Sequence, residues 1–136
     1  MTRVLILCTG NSARSQMAEG LLRTLGAGRF DVASAGTRPG HVRPEAIAVM
    51  RERGIDISSH RSKHVDEFSG TPFDYVITVC DHANEHCPIF PAGTARLHWS
   101  FPDPAAVEGT EPERLAAFRT VRDALEATFR DFVATH

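Results

Sequence analysis

Eight consecutive residues near the start of the chain, Cys8-Thr9-Gly10-Asn11-Ser12-Ala13-Arg14-Ser15, place a thiol and a guanidinium at a C-x5-R-S spacing. A short loop that feeds a helix turns several backbone N–H groups inward, and the helix dipole adds partial positive charge. Such a nest suits a tetrahedral oxyanion. Thr9, Gly10, Asn11, Ser12, Ala13 and Ser15 form the expected cradle, with the planar fork of Arg14 closing on two anion oxygens. Gly10 permits unusual dihedrals, and Asn11 tolerates a left-handed conformation and can hydrogen-bond the loop into shape. Cys8 sits at the mouth. The helix N-terminus and Arg14 are expected to lower its pKa below the ordinary thiol value of about 8.5, with the Ser15 hydroxyl donating to the sulfur. The plain alternative makes Cys8 a small buried hydrophobe ending a strand.

Three further residues could share that chemistry. Cys80 and Cys87 are two more thiols, and Asp103 lies in Phe101-Pro102-Asp103-Pro104. The flanking prolines restrict the backbone of Asp103 and of its neighbour, which would fix a carboxyl group as a general acid beside a leaving oxygen. Asp-Pro pairs also simply make turns. The two cysteines admit a dithiol that cycles through a disulfide, or two inert thiols. A third reading is a zinc site built from Cys80, His82, His86 and Cys87, although that spacing matches no common structural zinc signature.

These residues need a scaffold. Val4 to Leu7 is a continuous apolar run, as in a strand buried on both faces. Ser15 to Leu25 has helical spacing and is stopped by Gly26 and Gly28. Phe30 to Ser34 reads as a second strand, and Pro44 opens a second helix that ends at Gly54. Ile55 to Ser69 is polar and mixed. Phe73 to Val79 and Ala95 to Trp99 read as third and fourth strands, with a long loop, with room for a helical turn, over Asp81 to Pro91. Leu115, Phe118, Val121, Leu125, Phe129 and Phe132 mark an amphipathic helix from Glu113 to Val133. Strands alternating with helices imply an α/β domain with a mainly parallel sheet flanked by helices on both faces. In such a sheet ligands bind at the carboxyl edge. Cys8, Cys80 and Asp103 each follow a strand, so all three should meet there.

The bulk numbers set the limits. The chain's 136 residues suit one domain spanning 1–136. A net charge of -2, with Arg residues scattered along the chain, argues against nucleic acid as a partner. No stretch reaches the roughly 20 apolar residues of a membrane span, and the N-terminus lacks signal-peptide features. A cytoplasmic address follows as an expectation, and there three cysteines point to redox or metal chemistry rather than to a disulfide framework.

The chain resembles the thioredoxin-coupled arsenate reductases, relatives of the low-molecular-weight protein tyrosine phosphatases. The matching stretches run from Cys8 to Arg14 and on through Ser15-Gln16-Met17-Ala18-Glu19, then Ser34-Ala35-Gly36, Val79-Cys80 to Cys87-Pro88, and His98-Trp99 to Asp103-Pro104. The resemblance implies a four-stranded parallel sheet and a relay. Cys8 attacks arsenate with Asp103 as proton donor, while Arg14 and the loop hold the oxyanion. Cys80 attacks Cys8, Cys87 attacks Cys80, and thioredoxin reduces the Cys80–Cys87 disulfide. No cofactor is implied, a monomer is expected, and phosphate or sulfate should compete with arsenate. Two positions depart from the pattern. Ala13 stands where some members carry a further cysteine. Lys63 stands where some carry a carboxylate that, with Asn11, Glu19 and Ser34, binds a monovalent cation. A tyrosine phosphatase, or a reductase served by a low-molecular-weight thiol, would share most of these residues; neither would need Cys87.

Overall fold

The computed structural model describes residues 1–136 except 86, 89 and 92, and leaves the side chains of 82 and 84 undescribed. Four strands and four helices follow one another as β1 (Thr2–Cys8), α1 (Arg14–Gly26), β2 (Phe30–Gly36), α2 (Pro44–Arg51), β3 (Tyr75–Thr78), α3 (Asp81–Glu85), β4 (Ala95–His98) and α4 (Glu111–Thr135). Short 3-10 turns cover Val65–Phe68 and Pro104–Ala106.

The strands form one parallel sheet in the order β2-β1-β3-β4. The expected α/β class with four parallel strands is borne out. Successive residues of a strand face opposite sides, and Val4, Leu5, Ile6 and Leu7 are all fully buried. Both faces of central β1 are therefore covered, as its unbroken apolar run requires. On edge strand β4, Ala95, Arg96 and His98 are exposed. One hydrophobic core joins the strands to Met17, Leu21 and Leu22 of α1 and to Phe118, Leu125, Phe129 and Phe132 of α4. Among the described residues, no helix is long and apolar enough to cross a membrane.

Element boundaries differ from the sequence expectation where local chemistry decides them. α4 begins at Glu111 rather than Glu113, because Thr110 and Glu113 form a capping box around Pro112. β2 runs on to Gly36, since its register with β1 continues to Cys8↔Gly36. That extension brings Gly36 against the oxyanion loop. A Cβ at Gly36 would lie 2.5 Å from Thr9 O and 2.9 Å from Asn11 N.

Candidate active site

β1 ends at Cys8 and α1 begins at Arg14, so the loop between them lies at the carboxyl edge of the sheet. Its carbonyls are spoken for. Thr9 O accepts from Arg38 N at 2.8 Å, Gly10 O from Gly40 N at 3.2 Å, and Ser12 O from Arg43 N at 2.9 Å. The Ser62 hydroxyl donates to Gly10 O at 2.9 Å. With the carbonyls turned outward, the loop's N–H groups are left for the inner side. α1 has no side-chain cap and no acid in its first turn, so its first N–H groups and its dipole remain free for an anion.

Asn11 sets the loop's shape, as expected, and it is Asn11 rather than Gly10 that takes the left-handed conformation, with φ of 47°. Its buried side chain braces three elements. Nδ2 donates to Ser15 Oγ at 2.8 Å and Ser34 Oγ at 3.0 Å, and Oδ1 accepts from Gln16 Nε2 and Lys63 N, each at 3.0 Å. The Ser15 hydroxyl oxygen thus pairs with Asn11. The Ser15 group that reaches Cys8 is its backbone N–H, because the first turn of a helix aims its N–H groups forward.

A cavity of about 230 Å³ opens inside this loop, lined by Cys8, Thr9, Gly10, Ser12, Ala13, Arg14, Arg43, Asp103 and Ala105. Cys8, Arg14 and Asp103 therefore meet, as their positions after β1 and β4 predict. The Asn11 and Ser15 side chains stand behind the loop. Arg14 donates from Nη1 to Phe101 O at 3.0 Å, and its Nη2 lies 3.9 Å from Asp103 Oδ2. Arg14 Nε is buried without a partner among the described residues. A buried, unpaired guanidinium N–H is costly unless a ligand answers it. Asp103 is half exposed and accepts Ala105 N at 3.0 Å, so it both caps a turn and faces the cavity.

Cys80 stands behind Cys8, outside the cavity lining. All three cysteines are free thiols, with Cys8 and Cys80 buried and Cys87 half-buried. Cys8 and Cys80 are close enough that each thiol shifts the other's protonation. Cys80 Sγ also accepts Ala83 N at 3.4 Å and lies 3.2 Å from Thr9 Oγ1. These donors pull the Cys80 pKa down to about 5, the Cys8 thiol first among them, with Arg14 adding its charge. Cys8 is driven the other way, by donating to Cys80 and by burial, against the pull of Arg14 and Ser15 N–H. The sequence reading expects a lowered Cys8 pKa; in the fold two thiols share the cradle's positive field, and the lowering falls on Cys80.

Cys87 sits beyond α3, where burial raises its pKa, and its thiol donates to Pro88 O at 3.5 Å. Of the alternative zinc set, the His82 side chain and His86 lie outside the described residues. Around Glu19 the donor set does not suit a monovalent cation, since the Lys63 ammonium already lies 4.0 Å from Glu19 Oε1. Gln16 and Arg43 are site residues the sequence reading passed over. Gln16 looked like an ordinary first-turn residue, and only the fold reveals its bonds to Asn11. Arg43 could be read only as the residue before a helix-opening proline.

A family model, low molecular weight phosphotyrosine protein phosphatase, matches residues 3–135. The arsenate reductase of Halalkalibacterium halodurans is 44% identical over 132 residues, 97% of this chain and 95% of its own. A solved arsenate reductase in the phosphate binding state is 35% identical, with 99% of this chain and 98% of its own covered at a TM-score of 0.77. A thioredoxin-dependent arsenate reductase of Corynebacterium glutamicum is 26% identical, with 99% of this chain and 61% of its own covered at a TM-score of 0.79. With Cys8, Arg14 and Asp103 around one cavity and these likenesses running nearly end to end, the chain belongs to the low molecular weight phosphotyrosine protein phosphatase family, where it stands with the arsenate reductases.

Proposed function

We propose that the chain reduces arsenate to arsenite through Cys8, Cys80 and Cys87, with thioredoxin as the reductant, and so serves arsenic detoxification in the cytoplasm. The observation that carries this reading is a second buried thiol, Cys80, beside Cys8 at the edge of the cavity that Cys8 and Arg14 line. A phosphatase needs one nucleophile there. A reductant needs two thiols within reach of each other.

The chemistry runs as follows. The loop N–H groups and Arg14 hold the oxyanion. Cys8 passes its proton to Cys80, and its thiolate attacks arsenic. One arsenate oxygen leaves as water, carrying its own hydrogen and a proton supplied by Asp103. Cys80 then attacks the Cys8 sulfur. The As–S electron pair stays on arsenic, which becomes As(III), and the Cys80 proton departs with arsenite. Cys87 attacks Cys80 and releases Cys8, leaving a Cys80–Cys87 disulfide for thioredoxin. Phosphorus(V) is not reduced by thiols, so phosphate and sulfate act as competitors, and slow phosphatase turnover is compatible with the same loop. The chain needs no cofactor and works as a monomer.

The last exchange requires the Cα atoms of Cys80 and Cys87 to come within about 7 Å. Between them lies α3, a single turn. Its polar anchor is Asp81, whose carboxylate meets His98 Nε2 at 2.8 Å while His98 Nδ1 meets Thr78 Oγ1 at 2.8 Å. Unwinding this turn sacrifices little packing, which fits a segment that must move.

The test is arsenate-dependent NADPH consumption coupled through thioredoxin and its reductase. Wild type should turn over continuously, and Cys8→Ser should abolish reduction and phosphatase activity together. Cys87→Ser should complete about one turnover and stall as a Cys8–Cys80 disulfide, visible by peptide mapping. Sustained wild-type turnover in Cys87→Ser would remove the relay.

A further inference from the structure

We propose that Arg43 is a second cationic ligand of the oxyanion, which lets the cradle accept a dianion. The inference rests on reading the cavity as an oxyanion site.

Arg43 lines the cavity together with Cys8, Arg14 and Asp103. Its backbone is fixed from both sides. Its N–H donates to Ser12 O at 2.9 Å, and its own carbonyl accepts Ile47 N at 3.1 Å. Pro44 follows, and a residue before proline is held extended; Arg43 has φ of -68° and ψ of 135°. The origin of the side chain is thus set by the very loop that forms the cradle.

The guanidinium is left unspent. Most arginines that approach a carboxylate here are engaged, as Arg23 is with Glu19, Arg53 with Asp123 and Arg119 with Glu52. Among the described residues, the Arg43 side chain has no hydrogen-bond or ion-pair partner. Arg14, by contrast, already donates from Nη1 to Phe101 O and lies 3.9 Å from Asp103 through Nη2, so part of its fork is shared with the protein.

Charge favours a second guanidinium. Arg14 and Arg43 are the two cationic side chains that line the cavity, beside one carboxyl group, that of Asp103. A doubly charged arsenate or phosphate brings two negative charges into that space, and Arg14 alone supplies one positive charge to meet them. Arg43 is half exposed, so its contribution is strongest at low ionic strength.

The experiment titrates inorganic phosphate into the reduced full-length chain by calorimetry. The proteins are wild type, Arg43→Gln, Arg43→Lys and Arg43→Glu. The Gln variant should bind about tenfold more weakly, Lys between Gln and wild type, and Glu weakest of all. Added salt should weaken wild type more than the Gln variant. In arsenate turnover the Gln variant should raise KM about tenfold while kcat changes less than threefold, the mark of a group that binds ground and transition states alike. Only the backbone of Arg43 is tied into the fold, so thermal midpoints should match and confirm that the variants fold. Phosphate affinity of Arg43→Gln within twofold of wild type overturns the assignment. If wild type leaves arsenate unreduced yet phosphate affinity follows Arg43, the reductase reading falls and the ligand assignment stands. If arsenate is reduced but affinity ignores Arg43, the reverse holds.

Discussion

The loop from Cys8 to Arg14 and the segment from Cys80 to Pro91 both follow strands at the carboxyl edge, yet they are held in opposite ways. In the first, the Asn11 side chain is fully buried and bonded to four partners, and three carbonyls are pinned by the 38–43 stretch. In the second, Asp81, Glu85 and Pro91 are exposed, and Cys87, Pro88 and Phe90 are half-buried. Among its described residues only Cys80 and Ala83 are buried. The difference matches two kinds of work. Stabilising charge on an oxyanion depends on donors that do not rearrange when the charge develops. Passing a disulfide from buried Cys8 to an outer pair depends on a segment whose opening costs little.

The largest separation of the two regions comes from Asp103→Asn. The amide cannot supply the proton, so turnover should fall by about 10²–10⁴-fold. The outer relay should be untouched. Thioredoxin should reduce a preformed Cys80–Cys87 disulfide at the wild-type rate in this variant. A folded Asp103→Asn protein that loses less than about threefold in turnover would remove the general-acid role.

A smaller, paired comparison adds one methyl group at Gly36, which packs against the rigid loop, and one at Gly93, just beyond the yielding segment. In Gly36→Ala the new Cβ would meet the backbone at Thr9 O and Asn11 N, which cannot swing aside. About 1–3 kcal/mol of stability should be lost, as in other overpacked sites, and phosphate affinity should fall with it as the cradle distorts. Gly93 has φ of 97° and open space around the added atom. Gly93→Ala should cost about 1 kcal/mol from backbone strain alone and leave phosphate affinity unchanged. Denaturant midpoints and phosphate titrations check both arms. Equal effects on affinity would mean that the cradle does not depend on the close packing of Gly36 against its loop.

The rigid region was the more legible in sequence, for a physical reason. A C-x5-R spacing between an apolar run and a helical pattern is a local signal, and parallel topology then places Cys80 and Asp103 beside it. Residues that act through long-range contact leave no such trace. The Gln16 bonds to Asn11 and the clash waiting at Gly36 depend on strands and helices already packed. Arg43 needs the 38–43 stretch folded against the loop before it faces anything. The coupling of the two thiols depends on the fold in the same way: the sequence places Cys80 near the edge, but only the fold sets its sulfur beside Cys8.

That thiol pair is where the rigid and yielding regions meet, and it gives the finest test of the comparison. Thiolate formation can be followed by ultraviolet absorbance against pH. In the wild type, one thiolate should appear with a midpoint of about 5, belonging to Cys80. The Cys8 proton should then be held above the ordinary thiol range, because donating to Cys80 is the largest of its raising causes. In Cys8→Ser, Cys80 loses its strongest lowering partner, and its midpoint should climb from about 5 toward the ordinary value of about 8.5. In Cys80→Ser, Cys8 keeps Arg14 and Ser15 N–H, so its midpoint should fall below its wild-type position. Stability follows with a definite sign. The Cys80 pKa is lower folded than unfolded, so between about pH 5 and pH 8.5 the unfolded chain binds more protons and this group's contribution grows as pH rises. It is lost as pH falls through about 5. The raised pKa of Cys8 acts oppositely, in full below about pH 8.5 and lost as pH climbs through the folded value. Either single variant should therefore flatten the pH dependence of the unfolding midpoint. A Cys80 midpoint that stays near 5 in Cys8→Ser would show that the loop and Arg14 alone hold the charge, and that the two regions are not coupled through their thiols.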